Sequence, residues 1–268
     1  MDRTERTALV TGASAGLGAE LCWLFAREGH DVVLVARRKD KLEALANAIA
    51  KETGVVTTVL PEDLTDPGAP PRLATALAAQ GTHVEFLVNN AGFGTTGAFA
   101  ELDPKRELEM IQVNVTALVH LTRLFLPGMI ARRSGRILNL GSTAGFQPGP
   151  FMADYYASKA FVNSFTEALW FELRDTGVTA TVSCPGATAT EFADVAGLTE
   201  SRLFQAGTMG ARDVATHAYH ALMRGERLAI PGVKNKALLQ SLRVAPRGTV
   251  LRLAASLNRK PASKDGNR

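Results

Sequence analysis

Tyr155 and Lys159 stand four residues apart, and Tyr156 and Lys159 three apart, so on a helix either phenol would share a face with the ammonium. A phenol ionises near pH 10 and can exchange a proton at neutrality only if nearby positive charge draws that value down. Such a pair suits protonation of the oxygen of a carbonyl, or deprotonation of a secondary alcohol, as hydride arrives or leaves. Helix geometry alone leaves Tyr155 and Tyr156 both open. A second cluster, Thr11-Gly12-Ala13-Ser14-Ala15-Gly16-Leu17-Gly18, would let backbone turn tightly and approach a pyrophosphate, whose charge a following helix N-terminus favours. Its spacing is GxxxGxG and departs from GxGxxG.

These residues need elements to position them. Residues 7 to 11 and 31 to 36 are apolar β-branched runs, and Leu17, Leu21, Leu24 and Phe25 between them have helical spacing, which predicts strand, helix, strand. The alternation continues with helices over 39–53, 67–80, 104–131, 154–176 and 211–224, and strands over 55–60, 84–88, 136–140, 178–183 and 228–230. Continuous apolar strands separated by helices predict an α/β fold, a parallel sheet of about seven strands covered on both faces. No repeat or interdomain linker interrupts it, so the catalytic unit is read as a single domain over 1–233, with 234–268 as a basic amphipathic extension. In a doubly wound sheet the ligand binds outside the carboxyl ends of the strands, where strand order reverses.

The second strand ends Val35-Ala36-Arg37-Arg38-Lys39, with no acid before Asp40. An acid there accepts from the ribose hydroxyl of NAD, whereas an arginine accommodates the extra phosphate of NADP. NADP(H) is therefore expected. Arg37 is the preferred contact, because a guanidinium can bond the phosphate and stack on adenine.

Taken together, the glycine pattern, Asp63-Leu64, Asn89-Asn90-Ala91-Gly92, Asn114, Ser142, Tyr155-Tyr156-Ala157-Ser158-Lys159 and Pro185-Gly186 with Thr190 resemble the short-chain dehydrogenase/reductase family. The motifs span roughly residues 8 to 190 in family order. The resemblance implies a Rossmann-like sheet, with Gly12, Ser14, Gly16, Leu17 and Gly18 at the pyrophosphate. It implies that Asp63 and Leu64 meet the adenine, that Asn90 lines the adenine-ribose side, and that Pro185 and Thr190 sit at the carboxamide end. The family's YxxxK spacing chooses Tyr155 as acid/base. Lys159 would lower its pKa and hold the nicotinamide ribose, Ser142 would orient the substrate oxygen, and Asn114 would support a proton relay. Against this stand a family epimerase or dehydratase, which would add a carboxyl-terminal substrate domain, and a non-catalytic NADP(H) sensor, against which the intact Ser142, Tyr155, Lys159 and Asn114 set argues.

Three loops should frame the substrate, 93–103, 143–154 and 188–210. They offer Phe93, Phe99, Phe146, Phe151, Met152, Phe192, Val195, Leu198, Leu203 and Phe204 and no cluster of cations. A small lipophilic carbonyl or alcohol is expected. The formal charge of +4 is uneven: residues 1–233 carry 21 basic and 25 acidic side chains, and 234–268 carry 9 and 1. The mildly acidic body gives no support to nucleic acid as a partner. The extension has apolar stripes at Leu238, Leu239, Leu242 and Ala245 and at Val250, Leu251, Ala254 and Leu257, a pattern open to an anionic membrane surface, packing on the body or a subunit contact. Residues 257–268 read as a frayed end. A homodimer or homotetramer is what the resemblance implies. The two cysteines have no metal-ligand spacing to the histidines, no metal is expected, and the charged start MDRTERTALV lacks a leader. A reduced, cytoplasmic chain is expected.

Overall fold

The computed structural model describes residues 6–198, 201–205 and 207–259. Strands β1 (Thr7–Thr11), β2 (Asp31–Ala36), β3 (Thr57–Pro61), β4 (Val84–Asn89), β5 (Gly135–Leu140) and β6 (Val178–Ser183) form where the apolar runs lie. Helices α1 (Gly16–Arg27), α2 (Lys39–Thr53), α3 (Ala69–Ala79), α4 (Pro104–Ile111), α5 (Leu118–Arg132) and α6 (Ala153–Glu172) alternate with them. After β6 come the short strand β7 (Thr188–Ala189), helices α7 (Phe192–Ala196) and α8 (Arg202–Gln205), strand β8 (Met209–Gly210), α9 (Ala211–Met223), strand β9 (Leu228–Ala229), α10 (Val233–Leu242) and α11 (Arg247–Asn258). The main sheet is parallel throughout, in the order β3-β2-β1-β4-β5-β6-β9, and β7 pairs with β8 apart from it.

Successive strand residues face opposite sides, so the apolar runs build two cores at once. On β1, Ala8 and Val10 pack with Leu21 and Phe25 of α1, Leu42 of α2 and Tyr219 of α9. Leu9 faces the other way, with Leu73 of α3, Met110, Leu121 and Leu169. The order reverses between β1 and β4, and the loops that end those strands carry the glycine cluster and Asn89-Asn90. The span 104–132 is apolar and long enough to cross a bilayer by composition, but Met110, Leu121 and Met129 are fully buried against the sheet.

Two differences from the predicted elements matter. The predicted continuous helix over 104–131 is divided by a wide π turn, Gln112–Ala117, which contains Asn114. The predicted loops at 93–103, 143–154 and 188–210 contain short 3₁₀ turns and the elements β7, α7, α8 and β8. The expected fraying of 257–268 does not hold for Leu257 and Asn258, which complete α11 with Asn258 buried and hydrogen-bonded; 260–268 lie outside the described residues, as do 1–5 of the charged start.

Candidate active site

The glycine loop is shaped to let something large lie against it. Gly12 and Gly16 have positive φ, 67° and 55°, where a side chain is strained. A Cβ on Gly18 would sit 2.2 Å from the Gly12 carbonyl oxygen. Helix α1 starts with no side-chain cap, so the amides of its first turn, Gly16, Leu17 and Gly18, have no partner within the helix. A cradle of bare backbone ending in unsatisfied donors fits a pyrophosphate.

Asn90 lines the same cleft, and its side-chain amide is spent on the loop itself. Its Nδ2 donates to the carbonyls of Thr11 at 2.8 Å and Gly12 at 3.3 Å. The Thr11 hydroxyl takes the Asn90 and Ala91 amides, each at 3.0 Å. Asp63 turns its own loop by accepting from the Thr65 amide, and it lines the cleft beside Leu64. At the opposite wall, Pro185 and Thr190 line the cleft, and the Pro185 carbonyl accepts from the Thr143 amide at 3.0 Å. Thr190 stands so close to Gly16 that a Cβ there would meet it at 3.1 Å.

Beyond β2, Arg37 and Arg38 are exposed at the rim of the cleft. The Arg38 guanidinium reaches Ser14 of the glycine loop at 3.0 Å and Glu191 at 2.8 Å. Lys41 bonds the other oxygen of Glu191 at 3.0 Å. Arg38 belongs to the basic run read from sequence, but Lys41 and Glu191 do not, since nothing in local spacing announces a bridge between positions 150 residues apart.

Further in, α6 presents Tyr155 and Lys159 on one face. Tyr156, the alternative phenol, is committed elsewhere: its hydroxyl donates to Asn258 Oδ1 at 3.2 Å. Ser142, at the end of β5, accepts from the Ala144 amide at 3.0 Å, leaving its own hydroxyl hydrogen free to bond the Tyr155 oxygen. Lys159 is buried, donates to the Leu140 carbonyl at 2.7 Å, and lies 5.9 Å from the Tyr155 ring centre. Burial pulls its ammonium down to about 8.

The expected lowering of the tyrosine pKa is not a property of the protein alone. Burial dominates and pushes the Tyr155 phenol above its usual range, with the Ser142 hydrogen bond opposing it. Lys159 cannot overcome this, because the same desolvation weakens its own charged form.

The π turn sets Asn114 against the chain after β4. Its Oδ1 accepts from the Phe93 amide at 3.1 Å, and its Nδ2 donates to the Phe93 carbonyl at 3.0 Å and to Ser158 Oγ at 3.1 Å. Ser158 in turn donates to the Tyr155 carbonyl at 2.7 Å. Asn163 donates to the Ser142 carbonyl at 3.1 Å. Ser158 and Asn163 are supports that sequence reasoning passed over, as is a buried ladder in which Asn89 bonds Asn139 at 2.9 Å and Asn139 bonds Thr166 at 2.8 Å.

The cleft and its apolar end form one cavity of about 440 Å³. Of the loop residues expected around a substrate, Phe93, Met152, Phe192, Val195, Leu198 and Phe204 line it. Phe99 and Phe146 are exposed instead, Phe151 lies beneath the Arg259 guanidinium, and the Leu203 side chain is outside the described residues. The missing wall comes from the extension, as Leu238, Leu253, Ala254 and Leu257. Residues 234–259 thus pack on the body, and Asn258 ties α11 to Pro150 and Tyr156. Among the described residues no group of His, Cys, Asp and Glu could hold a metal.

Residues 6–200 match the family described as short chain dehydrogenase. A short chain dehydrogenase of Pseudocercospora fijiensis is 34% identical over 189 residues, 70% of this chain and 61% of that one. This chain therefore spans less than two thirds of that relative. A short-chain dehydrogenase from Sphingobium yanoikuyae, solved in complex with NADPH, superposes with a TM-score of 0.81 at 33% identity, over 98% of this chain and 100% of the other. A short chain dehydrogenase/reductase from Burkholderia phymatum, solved with NAD, gives 0.80 at 27% identity and the same coverage.

Proposed function

The chain belongs to the short-chain dehydrogenase family, and on that premise we propose that it is an NADP(H)-dependent oxidoreductase acting on a lipophilic ketone or secondary alcohol. One observation carries the reading. Ser142 and Tyr155 stand together where the glycine-floored cleft meets its mostly apolar part, with the buried Lys159 ammonium behind them.

When bound, the cofactor supplies the hydride and, in its oxidised form, a positive ring that helps lower the tyrosine pKa. The chain does the rest. Gly12, Ser14, Gly16, Leu17 and Gly18 floor the pyrophosphate site. Asp63, Leu64 and Asn90 line the adenosine side, and Pro185 and Thr190 the far end. Lys159 holds the ribose and supports negative charge on the phenol oxygen. Ser142 donates to the substrate oxygen and fixes its position, and Tyr155 gives that oxygen its proton. Asn114, held by Phe93 and by Ser158, keeps the Lys159 side of the site open to a proton relay.

The preference for NADP(H) rests on Arg37, Arg38 and Lys41, exposed cations at the end of β2 and start of α2, with no acid between the strand end and Asp40. The lipophilic substrate rests on Met152, Phe192, Val195, Leu198, Phe204 and the leucines of α10 and α11. Exposed Leu108, Leu124, Phe161 and Phe171 on α4, α5 and α6 suit a contact between copies, so a homo-oligomer is part of the reading. The buried, unpaired Cys22 and Cys184 suit a reducing cytoplasm.

Loss of NADPH absorbance against a panel of aromatic, aliphatic and acyl ketones tests the reading. Oxidation with at least one lipophilic ketone is expected, with NADH clearly poorer. Tight NADPH binding with no turnover on any of them would overturn it in favour of a sensor.

A further inference from the structure

We propose that helices α10 and α11 dock this protein on an anionic lipid surface, with the mouth of the substrate cavity facing the bilayer. Between residues 233 and 259 stand six cations, Lys234, Lys236, Arg243, Arg247, Arg252 and Arg259, and no acid. All six are exposed. No ion pair among the described residues involves any of them. Their field is therefore uncompensated locally, on a body whose remaining residues are net acidic.

Large apolar side chains are interleaved with these cations and face solvent. Val233 and Val244 are 82% and 85% exposed, and Leu253 is 54% exposed. Leu238 and Leu253, both exposed, also line the cavity, so each helix carries exposed apolar surface at its mouth. Basic residues around an apolar strip are what an interfacial helix needs: the cations meet phosphate headgroups while the strip enters the acyl boundary. Charge decides among occupants. A second copy seated on the same face would bring six cations against six. An acidic surface that is also apolar beneath its charge is a lipid surface.

Docking goes beyond the proposed reduction and stands without it. Only the consequence that a carbonyl dissolved in the bilayer can enter the cavity without crossing water rests on that reading.

The test is flotation of the full chain with vesicles of phosphatidylcholine alone and of phosphatidylcholine with phosphatidylglycerol. The charge-reversed double variant Arg243→Glu/Arg247→Glu and, separately, Val244→Asp are carried alongside. None of these three residues lines the cleft, so NADPH titration serves as the check on folding. Binding to the mixed vesicles is expected, with release at high salt, little binding to the neutral ones, and at least tenfold weaker partition for the double variant, since each cation near such a surface adds roughly fivefold. Failure to float with anionic vesicles, equal binding to neutral ones, or undiminished binding by the double variant would overturn the proposal. So would light scattering that shows Val244→Asp turning a dimer into a monomer while flotation is unchanged. A chain that floats as expected but oxidises NADPH with no ketone keeps the docking and loses the reductase reading.

Discussion

Glu191, just past Thr190 on the substrate side, closes on Arg38 at 2.8 Å from across the cleft and on Lys41 at 3.0 Å. One carboxylate thus occupies two of the three cations at that rim, leaving Arg37 outside the bridge. The Arg38 and Lys41 contacts hold that carboxyl below the usual range, so it stays charged at neutral pH.

Glu191→Gln should free these cations. All three side chains are close to half exposed, so solvent screens the pairs and the gain is small. We expect NADPH to bind about threefold tighter and NADH to be unchanged, read by fluorescence titration. Arg38→Ala should move NADPH the other way, with Kd raised at least tenfold, and Arg37→Ala measured beside it apportions the phosphate between the two arginines.

Tyr155→Phe should lower kcat by about 10² to 10⁴ while leaving NADPH affinity nearly intact, because the phenol meets the substrate oxygen. Ser142→Ala should cost about 10² to 10³. Survival of turnover within about tenfold in Tyr155→Phe would remove this tyrosine as the proton donor. Tyr156→Phe keeps its ring and should leave kcat within a fewfold, since its hydroxyl serves Asn258.

Lys159 sets function against stability. Its ammonium falls from an ordinary 10.5 to about 8 in the fold, a penalty of about 3 kcal/mol on the charged form. Below pH 8 folded and unfolded chains both hold the proton and the penalty is complete. Between about 8 and 10.5 the unfolded chain binds more protons, so stability rises with pH. Lys159→Met should raise stability at pH 7 by about 1–3 kcal/mol, lose the rise between pH 8 and 10.5, and lose activity. Urea melts at several pH values check all but the last.

Much of this layout is legible in the sequence, for a physical reason. Buried parallel strands must be apolar runs and glycine loops must be glycine, so β1, β2, α2 and the pyrophosphate floor leave local signatures. The Tyr155–Lys159 face follows from helix geometry, and the choice of Tyr155 from the resemblance. What is not legible depends on partners far along the chain. Asn89 and Asn139 look like polar interruptions of a strand until Asn89 is seen to donate to Asn139, and Asn139 to Thr166. Phe99 and Phe146 have the composition of a substrate wall but face solvent, while Leu257 of the apolar stripe and Leu253 beside it reach the cavity, a destination that the stripe alone does not name. The π turn at 112–117 has no Gly or Pro to announce it.

The extension should therefore act on specificity. Asn258→Ala removes the hydrogen bonds to Pro150 and Tyr156, leaving a buried phenol hydroxyl unpaired at about 1–3 kcal/mol. With α11 loosened, we expect KM for a bulky lipophilic ketone to rise several-fold while kcat on a small ketone holds. Steady-state kinetics with the two substrates check this.

The wide turn around Asn114 also limits how the chain's length can change. A regular helix advances about 100° per residue, so deleting one residue from 112–117 would restore ordinary hydrogen bonding. The same deletion would turn one flank of the span by that angle, carrying either Met110 or Leu121 and Met129 off the core. Insertions and deletions along 104–132 therefore disturb the core on one flank or the other, because the register of the whole span is set by a single surplus residue.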